Sequence, residues 1–165
     1  MTRIRLEESI DWPAIYAIYD AASAQTAEAD LVRNMDRDGD LILSLVAYDG
    51  KPAGHIAYSH LALHETPSVK ACVLAPLAVS PSFQHQGVGT ALVRESLQRL
   101  TDDGFDLVVV LGEPSYYGRF GFDPKLAQNL KTPYDGPYLQ ALALSDDGKR
   151  AHGPVAYARA FAELT

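Results

Sequence analysis

The sequence predicts an α/β fold in a single domain, residues 1–165, and three observations carry that expectation. Apolar, strand-like segments alternate with stretches whose apolar residues recur at helical spacing. One junction leads from the apolar run Val73–Val79 through a turn holding Gly87 and Gly89 into a helical pattern, a strand–turn–helix unit. The chain has 165 residues, 47% apolar and 21% charged, which favours one domain with a core of useful size.

Taken in order, Ile4-Arg5-Leu6 reads as a short first strand. Asp11-Trp12-Pro13 reads as a helix start, with Asp11 as cap and Pro13 in the first turn. Ile15, Ile18, Tyr19 and Ala22 then recur at helical spacing and give one apolar face. Ala27 to Met35 is a second, weaker helix, ended by Asp36-Arg37-Asp38-Gly39. Leu41–Tyr48 and Pro52–Leu63 read as strands, joined by the hairpin signal Asp49-Gly50. Lys70–Val79 is the next strand, and Pro76 inside it cannot donate to a ladder, which predicts a bulge or an edge there.

Gly89–Leu100 reads as a helix, its core stripe formed by Leu92, Val93, Leu97 and Leu100 and its stop by Gly104. Leu107–Leu111 is a continuous apolar run, as a strand buried on both faces requires. Pro114 opens a short helix near Tyr116 and Tyr117, and Tyr138–Leu144 reads as a late strand. Pro154–Phe161 reads as another, although its alanines suit a helix as well.

Composition narrows the function. The 14 basic residues against 21 acidic ones leave a net charge of −7, which argues against nucleic-acid binding. Such a field suits a cationic substrate, and it serves solubility equally. No apolar run approaches the roughly 20 residues of a membrane span, and the N-terminal residues lack the apolar core of a secretory signal. A cytoplasmic location without membrane association is therefore expected. Cys72 is the only cysteine, so no intrachain disulfide forms, and its apolar setting predicts a buried, inert thiol.

The run Pro81-Ser82-Phe83-Gln84-His85-Gln86-Gly87-Val88-Gly89-Thr90-Ala91-Leu92 is the most informative in the chain. A glycine-rich turn opening a helix leaves backbone N–H groups without acceptors and adds the positive end of the helix dipole, which suits phosphate or pyrophosphate. The same glycines also suit a plain strand-to-helix turn. No Gly-Lys-Ser/Thr follows, so the run is not a P-loop, and Leu92 stands where a dinucleotide fingerprint has its third glycine.

Gln84-x-x-Gly87-x-Gly89 after a strand resembles the acetyl-CoA motif of the GNAT superfamily of N-acetyltransferases. A second segment agrees: Leu107–Leu111, then Pro114-Ser115-Tyr116-Tyr117 and Gly121-Phe122, resembles that superfamily's fifth strand, short helix and aromatic Gly-Phe signature. The resemblance is to a bacterial subgroup of predicted acetyltransferases and covers about Val73 to Phe122. It implies a central mixed, mostly antiparallel sheet flanked by helices, with the fourth and fifth strands splayed to admit the pantetheine arm.

The resemblance further implies acetyl transfer from acetyl-CoA to the primary amine of a small molecule or protein, by direct attack in a ternary complex. Gln84, Gln86, Gly87, Val88, Gly89 and Thr90 would form the pyrophosphate turn. Leu77, Ala78 and Val79 would pair with the pantetheine amides. Arg94, Arg99, Arg119 and Lys125 are unranked candidates to neutralise phosphate. Homodimers are frequent among such proteins. A non-catalytic acyl-CoA sensor on the same scaffold is the alternative.

Aminolysis of a thioester needs a neutral amine, a stabilised oxyanion and a held or protonated thiolate. A backbone N–H at the end of the fourth strand, with Val79 as the candidate, would polarise the carbonyl. Tyr117 matches the signature tyrosine and would protonate the thiolate, although a packed aromatic is the plain reading of the same residue. The strand Lys70–Val79 holds no acid, so Glu113 is the candidate base, and a solvated loop carboxylate is its plain reading. The asparagine common before the tyrosine is replaced by Gly112-Glu113-Pro114-Ser115, where Ser115 would touch the pantetheine or cap the short helix. His55 and His60 point to opposite faces of their strand, His60 and His64 lack a third metal ligand, and His85 lies within the turn, so no metal is expected.

Overall fold

The computed structural model describes residues 2–23 and 27–164. The chain forms two compact units. One takes in the chain up to Tyr58, Pro76–Leu97 and the segment from Arg159; the other comprises Ser59–Ala75 and Gln98–Ala158.

The first unit begins with β1 (Arg3–Leu6), which pairs antiparallel with β2 (Leu41–Tyr48) in the register Arg3↔Tyr48 to Leu6↔Leu45. Between them lie α1 (Trp12–Ser23) and α2 (Ala27–Asp38). The second helix runs beyond the expected end at Met35, because Asp36-Arg37-Asp38 continues the turn until Gly39 takes a φ of 77°. The hairpin at Asp49-Gly50 forms as expected, with Gly50 at a φ of 74°, and leads into β3 (Pro52–Leu63). The strand order runs β1-β2-β3-β4, where β4 is Ala71–Val79; β3 up to Tyr58 and β4 from Pro76 belong to this unit. After the turn comes α3 (Val88–Asp102).

The two faces of β3 explain the packing. Gly54 and Tyr58 meet α3: the Tyr58 hydroxyl lies 2.7 Å from Ser96 Oγ, and a Cβ on Gly54 would lie 3.0 Å from Leu92 Cδ1 and 3.1 Å from the Ala78 carbonyl oxygen. Glycine at this position lets the first turns of α3 close onto the strand. His55 faces the opposite side, toward α1. Ile15, Ile18 and Tyr19 of α1 are buried with Ala29, Val46 and Ala78, which makes the expected apolar face of the first helix a core.

His55 is fully buried, with Nδ1 2.7 Å from the Tyr19 hydroxyl and Nε2 2.7 Å from Ser44 Oγ. Ser44 Oγ donates to Glu7 Oε1 at 2.6 Å. Because the single Ser44 proton goes to Glu7, His55 Nε2–H donates to Ser44 and Tyr19 donates to Nδ1. Burial pushes the imidazole below its ordinary value, against the pull of the Glu7 and Asp11 carboxylates. The imidazole therefore stays neutral in the fold while the unfolded chain takes up a proton. Stability should be full above about pH 6.5 and fall as pH drops below it. Thermal midpoints measured between about pH 7.5 and about pH 5.5 check this; a flat profile would contradict it.

Asp11 does not cap α1, as the sequence suggested. It ends a 3₁₀ turn (Ser9–Asp11) and is buried, accepting from Arg5 Nη1 at 2.7 Å, Arg5 Nη2 at 2.8 Å, the Tyr48 hydroxyl at 2.8 Å and Glu8 N at 2.7 Å. The Arg5 guanidinium holds this carboxyl well below the usual carboxylate range. A short sequence window around Asp11 could not show that its strongest partners lie on β1 and β2.

In the second unit β4 pairs parallel with β5 (Leu107–Leu111), in the register Ala71↔Leu107 to Leu74↔Val110. After β5 come α4 (Pro114–Tyr117), α5 (Pro124–Ala127), β6 (Leu130–Lys131), β7 (Leu139–Ala143), α6 (Asp146–Lys149) and β8 (Gly153–Ala156). β7 pairs antiparallel with β5 along its whole length, Leu107↔Ala143 to Leu111↔Leu139. β8 pairs antiparallel with β3 and parallel with β6. The sheet is thus mixed and flanked by helices, the α/β class expected. The segment Pro154–Phe161 divides: Gly153–Ala156 is a strand and Arg159–Leu164 a 3₁₀ helix, so both readings of it were partly right. The short elements α5, β6 and α6 carry too few residues for a periodic signal.

Candidate active site

Two local constructions hold the candidate residues, one in each unit. The first is the turn between β4 and α3. The ladder between β4 and β5 ends at Leu74↔Val110, while β4 continues from Ala75 to Val79 through Pro76, which has no N–H to give. Leu77 and Val79 are half-buried and Ala78 is buried. The Ser80 N–H donates to the Ala53 carbonyl at 2.8 Å, and a 3₁₀ turn (Pro81–Phe83) buries Phe83.

Gln84 Nε2 then donates to the Val79 carbonyl at 3.0 Å, and Gln86 Nε2 to the Ser82 carbonyl at 3.1 Å. Both glutamine amides thus brace the turn from within. Backbone conformation does the rest. Gln84 has a φ of −67°, His85 of 64° and Gly87 of 86°. Gln84 is extended, with a ψ of 152°, and the two left-handed residues after it turn the chain sharply into α3. His85 supplies a left-handed position beside the one at Gly87.

Ala91 N donates to the Gly87 carbonyl at 3.0 Å, which makes Gly87 the last residue before the helical ladder. The backbone N–H groups of Val88, Gly89 and Thr90 form the first turn of α3, which holds no acidic residue. A Cβ on Gly87 would meet nothing within 4 Å, so the turn leaves open space on that side. Gly89 lies within α3, in its first turn.

The second construction follows β5. Leu111 is 55% exposed and pairs with Leu139. The Gly112 N–H donates to the Tyr138 carbonyl at 2.9 Å. Glu113 caps α4 through its carbonyl, which accepts from Tyr116 N at 3.1 Å and Tyr117 N at 3.0 Å, and its side chain is exposed. Ser115 is exposed on the same short helix. Tyr117 is half-buried, its ring edge-on to Tyr116 at 5.0 Å and to Phe122 at 5.7 Å between centroids. A Cβ on Gly112 would lie 2.5 Å from Tyr117 Cε2, so the phenol ring rests directly on the glycine backbone. Gly121 takes a φ of 100° in the Gly-Phe pair that turns the chain after this ring. Arg119 stacks over Tyr116 and Phe120, with centroid distances of 4.7 and 5.3 Å.

Cys72 is buried and burial pushes its thiol well up, as its apolar strand suggested. His60 and His64 are exposed. Among the described residues no three His, Cys, Asp or Glu side chains gather as a metal site, and no helix is long and apolar enough to cross a membrane. Sequence reasoning overlooked Gln140, a single amide in the apolar strand Leu139–Ala143, which is fully buried beside Gly112.

The acetyltransferase (GNAT) family model matches residues 4–122. The chain belongs to that family. It is 36% identical over 148 residues to the protein called uncharacterized N-acetyltransferase YhbS of Escherichia coli, covering 87% of this chain and 88% of that one. The crystal structure of Escherichia coli YhbS in complex with CoA superposes with a TM-score of 0.89 at 35% identity, over 98% of this chain and 92% of that chain. A GNAT acetyltransferase from Brucella melitensis in complex with acetyl-CoA gives 0.81 at 33% identity, over 98% of each chain. The protein is thus an acyltransferase of the GNAT family, as the motif at Gln84–Gly89 and the Gly121-Phe122 signature implied.

Proposed function

We propose that this GNAT protein moves the acetyl group of acetyl-CoA onto a primary amine by direct attack, with both substrates bound together in one N-acetyltransferase domain. The observation that carries the reading is the left-handed pair His85 and Gly87 at the start of α3. That turn suits a pyrophosphate, being a helix N-terminus with its dipole, no acid in the first turn of α3 and open space at Gly87. Homologues crystallised with CoA and acetyl-CoA support the same reading.

When bound, acetyl-CoA supplies an activated acyl group on a thiolate leaving group. Gly87, Val88, Gly89 and Thr90 offer backbone N–H groups to the diphosphate, and Gln84 and Gln86 keep the turn rigid. The Leu77–Val79 backbone, beyond the last rung of β4 with β5, offers N–H and C=O groups to the pantetheine amides. The Val79 N–H is the proposed carbonyl polariser. The Tyr117 hydroxyl gives a proton to the departing sulfur, and exposed Glu113 accepts one from the amine, directly or through water. Ser115 contacts the pantetheine arm. An amine acceptor accords with the net charge of −7.

Titration calorimetry checks the donor site. Acetyl-CoA should bind in the micromolar range, with loss of affinity for nucleotides that lack the pantetheine arm. Equal binding of the truncated nucleotides would point to a nucleotide-binding protein, and no binding by folded protein would refute the reading.

A further inference from the structure

We propose that Gln140 and Gly112 form a clamp that positions the Tyr117 phenol, an inference that rests on the acid role given to Tyr117 above. Gln140 lies on β7 opposite Val110 and is fully buried. Its Nε2 donates to the Gly112 carbonyl at 3.0 Å and to the Tyr138 carbonyl at 3.3 Å. The Gly112 N–H donates in turn to the Tyr138 carbonyl. One side-chain amide therefore fixes both sides of the peptide step that leaves β5.

Both neighbours of that amide are carbonyl oxygens, so only its NH₂ end can face them. Oε1 is left buried with no hydrogen-bond partner among the described residues. A methionine or leucine would fill the same space in this apolar strand without an orphaned acceptor. An unsatisfied buried group in a native core calls for a reason, and here the reason is the pair of N–H donors that hold Gly112.

Gly112 in turn carries the ring. Its φ is not left-handed, so the backbone alone does not demand glycine. Space demands it, because an added Cβ would lie 2.5 Å from Tyr117 Cε2 and 3.0 Å from Cδ2. Tyr116 and Phe122 bound the ring by their edges and the Glu113 carbonyl holds the Tyr117 N–H, while Gly112 forms the backbone floor. A displaced floor moves the phenol, and small misplacements of a reacting group cost rate steeply. Gln140 and Gly112 are positioning residues that act through Tyr117.

The test uses 3-fluorotyrosine incorporated at the nine tyrosines, with the Tyr117 fluorine resonance assigned by its loss in Tyr117→Phe. Gln140→Met and Gly112→Ala should each shift that resonance and change its titration, leaving most of the other tyrosines unmoved. Gly112→Ala lies at a half-buried site and serves as the second variant if Gln140→Met does not fold. In kinetics, each should lower kcat roughly tenfold at unchanged KM for acetyl-CoA. Neither should lower kcat further in a Tyr117→Phe background. A Tyr117 resonance unmoved in both variants would overturn the clamp, as would equal kcat losses in the two backgrounds. If Tyr117→Phe itself keeps full kcat, the acid role falls, while the fluorine shifts still report on the clamp.

Discussion

Tyr117→Phe is expected to lower kcat by about 100-fold, within the range for loss of a general acid, while acetyl-CoA affinity changes little. The substitution removes one oxygen and keeps the ring. The ring is what packs: it rests on Gly112 and meets Tyr116 and Phe122 edge-on. Phenylalanine preserves those contacts, so the fold and the short helix α4 should persist. What disappears is the hydroxyl proposed to protonate the departing thiolate. Steady-state kinetics paired with calorimetry separates the two effects. Reduced affinity with unchanged kcat would make Tyr117 a binding residue, and unchanged values for both would make it a packed aromatic.

Gly89→Val should raise the dissociation constant for acetyl-CoA by about 100-fold, or roughly 2.7 kcal/mol. Gly89 lies in the first turn of α3, with a conformation any residue adopts there. Valine is a better helix residue than glycine, so the unliganded protein should melt no lower than the wild type. A loss of affinity without a loss of stability is the signature of a side chain placed where phosphate must approach the backbone. Gly89→Ala should fall between. Unchanged affinity in Gly89→Val would remove this residue from the donor site.

The backbone framework was largely legible because its signals are local. Apolar runs marked β2, β3 and β5 at their observed bounds, and Asp49-Gly50 marked the hairpin. The turn at Gly87 was legible because glycine serves both φ > 0 and close approach. The left-handed conformation of His85 was not, since it lies between two glutamines whose bonds back to Val79 and Ser82 form only in the folded turn. Asp11 looked like a helix cap because its sequence neighbours are helical, whereas Arg5 and Tyr48 reach it through strand pairing. Gln140 was invisible for a similar reason: its partners Gly112 and Tyr138 become neighbours only when β5 and β7 pair.

The most direct measurement is acetyl transfer itself. Purified protein is incubated with acetyl-CoA and a broad panel of small amines and peptides with free amino groups, and products are identified by mass spectrometry alongside release of free thiol. The account predicts an acetylated amine, formed in proportion to thiol, with initial velocities that depend on both substrates together and with loss of product in Tyr117→Phe. Tight acetyl-CoA binding with no acetylated product across the panel would contradict it and leave an acyl-CoA sensor on the same scaffold.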